Sequence, residues 1–513
     1  MICLLYIFFT LWRLFMKTSY IQRIVCCLLV CLMLLPAVAC AQTQNGSETT
    51  SAENAATKAP VEGGSEEETE SIYDENGYLK DDLDPTLNFN NEEVCVLHWN
   101  DAYFEEFSSP GENGEIVNDA LFKRNCIVED RMNIRFKFVG TAGDTYNEAP
   151  FALKLSTSIE SGDREYDLVG AYSYTAGLCA AQSLYYDLKE VEHLNFDQPW
   201  WPDLLIDQAT INNKLYFVSG DVSANAIYMM YVTFFNKEFL NNMKLEDPYD
   251  LVEADAWTLD KMFEMCKGTY NDVNANGIKD EGDRIGLYTY TLHLDSFLWG
   301  SNIFIIDSIG DDFKFSEDIL GEKTVDLQTK LKDFLYNTDD GFNTKQKDNN
   351  HEYFAQGLSL FWNDRCHRAI DFTDADREFG ILPIAKYDAN QTDYISIMSN
   401  PFSLYGMPSD VVDPNMVGAV LECMASESYR IVTPALYERS FKMRYSQDSV
   451  SAQMFDIVKG GVVFDMARIF SNTISAYKAW QKAIVGNTAW SSTVKSETRV
   501  WTTQLEKVLE AFK

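Results

Sequence analysis

The sequence contains few basic residues and very few histidines. Only 42 lysines and arginines stand against 78 aspartates and glutamates in 513 residues, which gives a formal net charge of −36. An acidic surface of this kind repels nucleic acid and anionic lipid, so neither is an expected partner. The five histidines are paired with no serine or cysteine motif, and no G-x-S-x-G, H-E-x-x-H or P-loop signature is present. These absences argue against several common hydrolytic and nucleotide-binding mechanisms.

The sequence also lacks paired cysteines. Five of the eleven cysteines lie at or before Cys40, and the others are scattered: Cys95, Cys126, Cys179, Cys266, Cys366 and Cys423. No C-x-x-C or Cys/His spacing occurs among these six, so nothing supports a zinc site. Most stand in apolar surroundings and are expected to be buried thiols. No internal repeat of roughly 20–50 residues is visible, which argues against a surface adhesin built from repeated modules.

The N-terminus has the pattern of an export signal. Residues 24–39, IVCCLLVCLMLLPAVA, are apolar and uncharged, follow two basic residues and end in small residues before Cys40. Such a run is typical of a signal peptide with its cleavage site. It is shorter than the roughly 20 apolar residues of a spanning helix, which makes a membrane anchor the weaker alternative. We therefore expect a signal peptide over 1–39, in which 1–15 has the character of a spurious extension.

Residues 40–88 have the composition of a disordered acidic linker. The stretch 42–70, QTQNGSETTSAENAATKAPVEGGSEEETE, is rich in Ser, Thr, Glu and Gly and has almost no large apolar side chain. It cannot bury enough surface to fold, and its acids repel one another. Cys40 directly after A-V-A resembles a bacterial lipobox, with plain signal-peptidase cleavage at the same bond as the alternative. We expect an exported protein whose Cys40 is lipidated and anchors it to the outer face of the cell membrane.

From residue 89 onward, strand-like and helix-like segments alternate. VCVLHW, IRFKFV and YDLVGAY have strand patterns, and the helical pattern DALFKRNCIVEDRM stands between the first two of them. Such alternation predicts an α/β fold with largely parallel sheets. The chain is too long for one ordinary core, so two lobes are expected.

Residues 272–283 match a calcium-binding loop. Such loops supply oxygen atoms from positions 1, 3, 5, 7, 9 and 12, with glycine at position 6. The six oxygen positions are occupied by Asp272, Asn274, Asn276, Ile278, Asp280 and Asp283. Ile278 would contribute its backbone carbonyl, and the others their side-chain oxygens. Gly277 occupies position 6, although N-A-N-G is also a favourable turn without a metal. The expected cofactor is one Ca²⁺, structural rather than regulatory, because a sensor uses paired loops flanked by long helices.

A series of segments along the body resembles a known family. VLHWND, LKLSTSIESGDREYDLVGAY, YYDLKEV, INNKLYFVSGD, AWTLDKMFEMCK, YFAQGLSLFWND and FGILPIAKYDANQ follow one another in this order. Together they resemble the extracellular solute-binding proteins of ABC importers, in the sugar-binding family 1 branch that includes maltose-binding protein. The resemblance covers nearly everything from Val94 to the C-terminus. In some members, a similar loop after the Trp-Thr helix is structural.

The resemblance implies a class II periplasmic-binding-protein-like clamshell. Each of its two lobes would be a mainly parallel sheet flanked by helices. We expect an N-terminal lobe formed by 89–220 and 370–430 and a C-terminal lobe formed by 221–369 and 431–513. The solute would lie between the lobes, which close around it by hinge bending.

The candidate ligand-binding residues are aromatic, acidic and amide side chains near strand ends. Sugars are recognised by aromatic faces and by hydrogen-bonding groups, and ligands of doubly wound sheets bind beyond the carboxyl ends of strands. The candidates include two W-N-D tripeptides that follow strand-like runs. They are Trp99, Asn100, Asp101, Tyr172, Ser173, Tyr174, Asp221, Trp299, Trp362, Asn363 and Asp364. For each tryptophan and tyrosine, the alternative is an ordinary core residue.

The sequence thus predicts a monomeric, non-enzymatic substrate-binding lipoprotein of an ABC transporter. Its partners would be a small solute, with an oligosaccharide favoured, and a membrane permease. Two alternatives remain. One is a secreted glycan hydrolase, because carboxylate pairs are abundant, and the other is a solute sensor for a membrane receptor.

Overall fold

A computed structural model of the chain describes residues 71–308, 313–344, 350–372, 377–437, 449–486 and 488–513. The predicted signal peptide, Cys40 and the linker up to residue 70 lie outside the described residues. Ser71–Lys513 forms one compact unit. Within the described ranges, no helix has both the length and the apolar character that crossing a membrane would require.

The strands of the described residues are, in chain order, β1 Glu92–Trp99, β2 Ile134–Thr141, β3 Leu168–Tyr172, β4 Tyr231–Asn236, β5 Ile285–Tyr290, β6 Ile306–Asp307, β7 Lys314–Phe315, β8 Gly341–Thr344, β9 Ser359–Arg365, β10 Phe379–Leu382, β11 Ser396–Ile397, β12 Ser403–Gly406 and β13 Val462–Val463. The α-helices are Ile116–Met132, Glu148–Ser161, Ser173–Ala181, Asp203–Ala209, Ala224–Tyr228, Lys237–Met243, Pro248–Glu253, Leu259–Cys266, Asp295–Gly300, Glu322–Lys332, Asn350–Ala355, Pro414–Glu427, Thr433–Tyr437, Ser449–Gly460, Met466–Ile469, Ala476–Val485 and Trp490–Ala511. Short 3₁₀ or π turns occupy Leu188–Glu190, Thr291–Leu294, Asp318–Leu320, Asp333–Asn337, Cys366–Phe372 and Ser428–Val432.

Four strands form the first sheet, in the order β12-β3-β1-β2. β1 pairs in parallel with both β2 and β3, and β12 runs antiparallel to β3. β1 is buried continuously from Val94 to Trp99, as expected of a central strand covered on both faces. The helices Ile116–Met132 and Pro414–Glu427 pack against each other beside this sheet.

Five strands form the second sheet, in the order β10-β4-β9-β5-β8. β5 is parallel to β8 and β9, whereas β4 is antiparallel to β9 and β10. β4 is the first strand that the chain forms in the second sheet, and β12 is the first strand that it forms after returning to the first sheet. Each of them runs antiparallel to the strands beside it. The α/β prediction is confirmed, and the antiparallel strands mark the two crossings.

The two crossing segments pair with each other. Met230 and Met398 form an antiparallel bridge, and the amide of Ser399 donates to the carbonyl of Met229 at 2.7 Å. The second crossing follows β10, which belongs to the second sheet. The return to the first sheet therefore comes later than residue 370, the expected start of the second N-terminal lobe segment 370–430. The reason is that the apolar FGIL run forms an edge strand beside β4 before the chain returns.

Residues 71–88 are folded against the first sheet's helices, which differs from the expected linker end at 88. The Asp81 carboxylate is fully buried and accepts hydrogen bonds from Arg131 Nη1 and Ser426 Oγ, each at 2.6 Å. Leu83 is buried, and Tyr73 pairs with Leu79 in a small turn. The low-complexity composition ends at residue 70, where apolar and aromatic side chains begin to recur.

Candidate functional site

Each sheet has one point at which its strand order reverses. In the first sheet this point lies between β1 and β3, and in the second between β5 and β9. Open α/β sheets bind ligands beyond the carboxyl ends of the strands at such points. The residues that follow these strand ends therefore define the candidate site.

At the first of these points, the predicted aromatic residues are packed rather than open. Trp99 is 1% exposed, donates from Nε1 to Ser403 Oγ at 2.7 Å and meets the Tyr172 ring edge-to-face at 5.3 Å. The Tyr172 hydroxyl shares a 2.9 Å hydrogen bond with Thr145 Oγ1, and burial raises the pKa of Tyr172. Ser173 Oγ donates to the carbonyl of Asn400 at 2.7 Å. These side chains form the floor of the site.

Asn100 and Asp101 are exposed beside that floor. The Asp101 carboxylate accepts the backbone N–H groups of Gly143 at 2.9 Å and Asp144 at 3.1 Å. It therefore holds the loop that follows β2. Tyr146 in this loop is 80% exposed, so its ring is available for contact with a ligand.

The second W-N-D tripeptide points largely into the core. Trp362 has no exposed surface and packs against both Phe234 and Phe354, with ring centroids 5.3 and 5.5 Å away. Asn363 is also fully buried, and its side-chain oxygen accepts from Ser296 Oγ at 3.1 Å. β9 is a central strand covered on both faces, which leaves these two side chains no route to solvent.

Asp364 forms the centre of a charged group at the end of β9. Its carboxylate lies 3.4 Å from His293 Nε2, 3.1 Å from Arg365 Nε and 3.8 Å from Arg368 Nε. Burial alone would raise the pKa of Asp364, but these three neighbours lower it to about 2. Burial lowers the pKa of His293 to about 4. At neutral pH, therefore, Asp364 is charged and His293 is neutral.

Tyr103 joins the two strand-order reversal points. It follows β1, yet its ring lies 4.5 Å from the His367 ring, and its hydroxyl accepts from Arg368 Nη1 at 3.5 Å. Tyr103 is 50% exposed, and Leu292, after β5, is 46% exposed. The rim of the site, which we define as Asn100, Asp101, Tyr103, Tyr146, Leu292, Arg365 and Arg368, combines exposed apolar faces with amide, carboxylate and guanidinium groups.

A buried cluster around Arg468 connects the sheets, and the sequence interpretation missed it. Arg468 donates to Asp295 Oδ2 at 2.9 Å and to Asn400 Oδ1 at 2.6 Å. Its guanidinium lies 5.1 Å from the Trp299 ring and 5.5 Å from the Tyr477 ring. Burial raises the pKa of Asp295 to about 6. The only local signal is a lone arginine in the apolar run FDMARIF.

Two of the candidate residues belong to this cluster. Trp299 is fully buried and donates from Nε1 to Asp465 Oδ2 at 2.9 Å. Tyr174 is 2% exposed, and its hydroxyl is hydrogen-bonded to that of Tyr477. Both side chains therefore join the sheets from within rather than line an open surface.

Asp221 lies apart from the other candidates. Its carboxylate accepts from Thr433 Oγ1 at 2.5 Å, and its backbone N–H donates to the carbonyl of Trp200 at 3.1 Å. Burial raises the pKa of Asp221. This aspartate ties the start of the first crossing to the helix Thr433–Tyr437.

The loop 272–283 has the backbone form of a calcium loop. The Asp272 carboxylate accepts the N–H groups of Asn276 at 3.2 Å and Gly277 at 2.9 Å, and Gly277 has a φ of 74°. Asp283 is 1% exposed, and its Oδ2 accepts from Tyr270 Oη at 3.2 Å. Its Oδ1 is buried without a hydrogen-bond partner. A cation bound in the loop would satisfy that oxygen, so the residues present fit Ca²⁺.

Outside this loop, the described residues give no second candidate for a metal site. Among the described residues, no group of three or more His, Cys, Asp or Glu side chains could hold a metal ion. The three carboxylates of the loop, Asp272, Asp280 and Asp283, do not form such a group either, so the expected calcium site rests on the loop spacing and on the unpartnered Asp283 Oδ1.

Comparison with known proteins relates the chain to a group of solved structures. No family model and no curated protein sequence matches it. A cyclic α-maltosyl-1,6-maltose-binding protein from Arthrobacter globiformis is 13% identical, with a TM-score of 0.56 over 81% of this chain and 99% of that chain. The galacto-N-biose/lacto-N-biose I-binding protein of an ABC transporter from Bifidobacterium longum, in complex with lacto-N-biose, is 13% identical, with a TM-score of 0.54 over 82% and 98%.

A third solved structure carries a different ligand. UgpB from Mycobacterium tuberculosis, in complex with glycerophosphocholine, is 14% identical, with a TM-score of 0.51 over 80% of this chain and 98% of that chain. At these identities the likeness establishes the fold. The chain has the two-lobed α/β fold of these structures, which confirms the predicted fold class.

Proposed function

We propose that the chain is the extracellular substrate-binding protein of an ABC transporter. It captures a solute between its two sheets and delivers it to a membrane permease. The observation that carries the proposal is the meeting of the two strand-order reversal points, where Tyr103 after β1 contacts His367 and Arg368 after β9. Two points of this kind facing each other form a cleft that can close on a ligand.

An oligosaccharide is the solute that the rim favours. Exposed Tyr103 and Tyr146 offer aromatic faces, on which the C–H side of a sugar ring packs well. Asn100, Asp101 and Arg365 supply acceptors and donors for hydroxyl groups. Two of the similar solved structures are described as saccharide-binding proteins, whereas the glycerophosphocholine complex indicates that the fold also accepts other solutes.

The charge state of the strand-end carboxylates supports binding over hydrolysis. A glycoside hydrolase needs one carboxylic acid that stays protonated and is placed to donate to the leaving group. The pKa of Asp364 is lowered to about 2 by its cationic neighbours once burial is offset. Asp101 is already engaged by the loop after β2. These two carboxylates are better suited to positioning than to proton transfer.

A thermal-shift screen against oligosaccharides, monosaccharides, peptides, polyamines and glycerophosphodiesters tests the proposal. A ligand at a hundred times its dissociation constant should stabilise the protein by about 2.7 kcal/mol. The same mixtures are then examined for product by chromatography. Stabilisation by one saccharide class without product supports the proposal. Product formation favours the hydrolase, and a shift with no binding to a cognate permease favours a sensor.

We also propose one structural Ca²⁺ in the loop 272–283. Asp272, Asn274, Asn276, Asp280 and Asp283 would supply side-chain oxygens, and Ile278 its carbonyl. The loop lies between the helix Leu259–Cys266 and the amino end of β5, at the opposite end of that strand from the candidate site. The ion would therefore order the second sheet without touching the solute.

Export, lipid anchoring and the monomeric state complete the proposal. Lipidation of Cys40 would hold the mature protein at the outer face of the cell membrane. Incorporation of labelled palmitate into the wild-type chain, its loss in Cys40→Ser and release of that variant into the medium would support the anchor. Light scattering of the lipid-free chain tests the monomer.

A further inference from the structure

The side chain of Glu106 is fully buried where the segment after β1 meets both crossings. Its carboxylate accepts hydrogen bonds from Ser403 Oγ, from Ser223 Oγ at 2.9 Å and from the backbone N–H of Asn225 at 2.9 Å. Ser223 and Asn225 lie in the first crossing, and Ser403 begins β12 directly after the second. One carboxylate therefore holds two segments that are about 180 positions apart in the chain.

The same hydrogen-bond network reaches the floor of the candidate site. Ser403 Oγ accepts from Trp99 Nε1 at 2.7 Å, and the Ser403 amide donates to Ser223 Oγ at 3.2 Å. Asn225 Nδ2 donates to the carbonyl of Phe104 at 2.8 Å. The end of β1, the segment that carries Tyr103 and both crossings are thus joined through Glu106.

Three hydrogen-bond donors surround the carboxyl group of this side chain. Each of the three groups that contact its oxygens donates a hydrogen, as a carboxylate requires. The buried guanidinium of Arg124 lies next to it, with Nη2 donating to the carbonyls of Phe107 at 3.0 Å and Glu106 at 3.3 Å. Burial raises the pKa of Glu106, and the hydrogen bonds from Asn225, Ser403 and Ser223 offset only part of that rise.

We infer that Glu106 is a positioning residue of the interlobe hinge, which fixes both crossings relative to the end of β1. Bending at the crossings would then change the angle between the sheets while the floor around Trp99 keeps its place. Its use in solute capture rests on the proposed function. The hinge contact itself is independent of any ligand.

Hydrogen exchange of the full-length chain, measured by mass spectrometry without ligand, tests this inference. Glu106→Gln replaces an acceptor oxygen with a donor group. Since this leaves a buried donor without its acceptor, amide exchange in 219–230 and 396–403 should accelerate at least about tenfold. Exchange in β2 and β5 should stay unchanged. Glu112→Gln, at an exposed position in the same segment, is the matched control and should behave as wild type.

A second variant keeps the test decisive if Glu106→Gln does not fold. Ser223→Ala removes one donor to Glu106 and the acceptor of the Ser403 amide, and it should accelerate exchange in both crossings to a smaller extent. Unchanged crossings, or equal acceleration in β2 and β5, would overturn the inference by reducing Glu106 to a general stabilising residue. A selective effect with no solute found in the screen would support the hinge while rejecting the proposed function.

Discussion

Removal of calcium is expected to lower the melting temperature of the protein without weakening solute binding. The backbones of Asn271 and Arg284 pair at the base of the loop, with both N–H to carbonyl distances at 2.9 Å, so the loop leads straight into β5. β5 is an interior strand of the second sheet, and the proposed solute lies beyond its other end. Loss of the ion should therefore act on the stability of this sheet.

The magnitude follows from the expected affinity. Extracellular calcium modules have dissociation constants of about 10⁻⁴–10⁻³ M. At about 10 mM free calcium, the ratio of ligand to dissociation constant is about 10–100, which gives about 1.4–2.7 kcal/mol of stabilisation. With about 2–4 °C per kcal/mol for units of about 150–250 residues, the melting temperature should rise by about 3–11 °C.

Differential scanning calorimetry in excess calcium and in a chelator measures this increment. Asp283→Asn removes the charge of the buried carboxylate whose Oδ1 has no hydrogen-bond partner, and it should abolish most of the increment. Asp207→Asn, at an exposed position, should retain it. An unchanged melting temperature in wild type would refute the metal site. Loss of solute binding at constant melting temperature would refute its structural role.

Three further outcomes are expected. Trp362→Ala should lower the free energy of unfolding by about 3–5 kcal/mol in denaturant titrations because it empties an aromatic core position. Tyr103→Ala should instead weaken solute binding about tenfold in calorimetry, with little change in melting temperature. Tyr73→Ala, also at an exposed tyrosine, should change neither the binding nor the melting temperature. Asp81→Asn should speed proteolysis of the segment before β1, since Arg131 loses its buried partner; equal cleavage rates would contradict this. Burial raises the pKa of Glu422 from 4.5 to about 7, so its stabilising contribution is complete below the unfolded pKa and is lost as the pH rises through about 7. Unfolding titrations should show about 1–3 kcal/mol of this loss between pH 4.5 and 7, and Glu422→Gln should reduce it; an unchanged pH profile in that variant would contradict the assignment.

The features that depend on local spacing could be predicted from the sequence. The donors of the loop 272–283 lie within twelve consecutive positions, and the structure gives that loop a left-handed Gly277 and an Asp272 that accepts two backbone N–H groups. A largely apolar run such as VCVLHW predicts a buried strand from its own residues, and the structure buries all six of them. The fold class followed from these patterns and from the resemblance.

Features that depend on long-range packing could not be predicted in the same way. Arg468 meets Asp295 across 173 positions, and nothing near either residue indicates the other. Trp362 ends a strand-like run, as Trp99 does, but only the order of strands in the sheet shows that β9 is covered on both faces. The sequence predicts a linker up to residue 88 because nothing near Asp81 or Leu83 in the chain indicates that the helix carrying Arg131 buries them.

The pairing of Met230 with Met398 has a thermodynamic consequence for capture. Two unpaired connectors would sample many conformations in the open state, and a ligand would have to suppress that freedom on closing. Here the connectors are already hydrogen-bonded to each other, so this loss of conformational entropy occurs during folding, before any ligand arrives. The affinity for the proposed solute would then depend chiefly on the contacts made at the rim and on the water released from it.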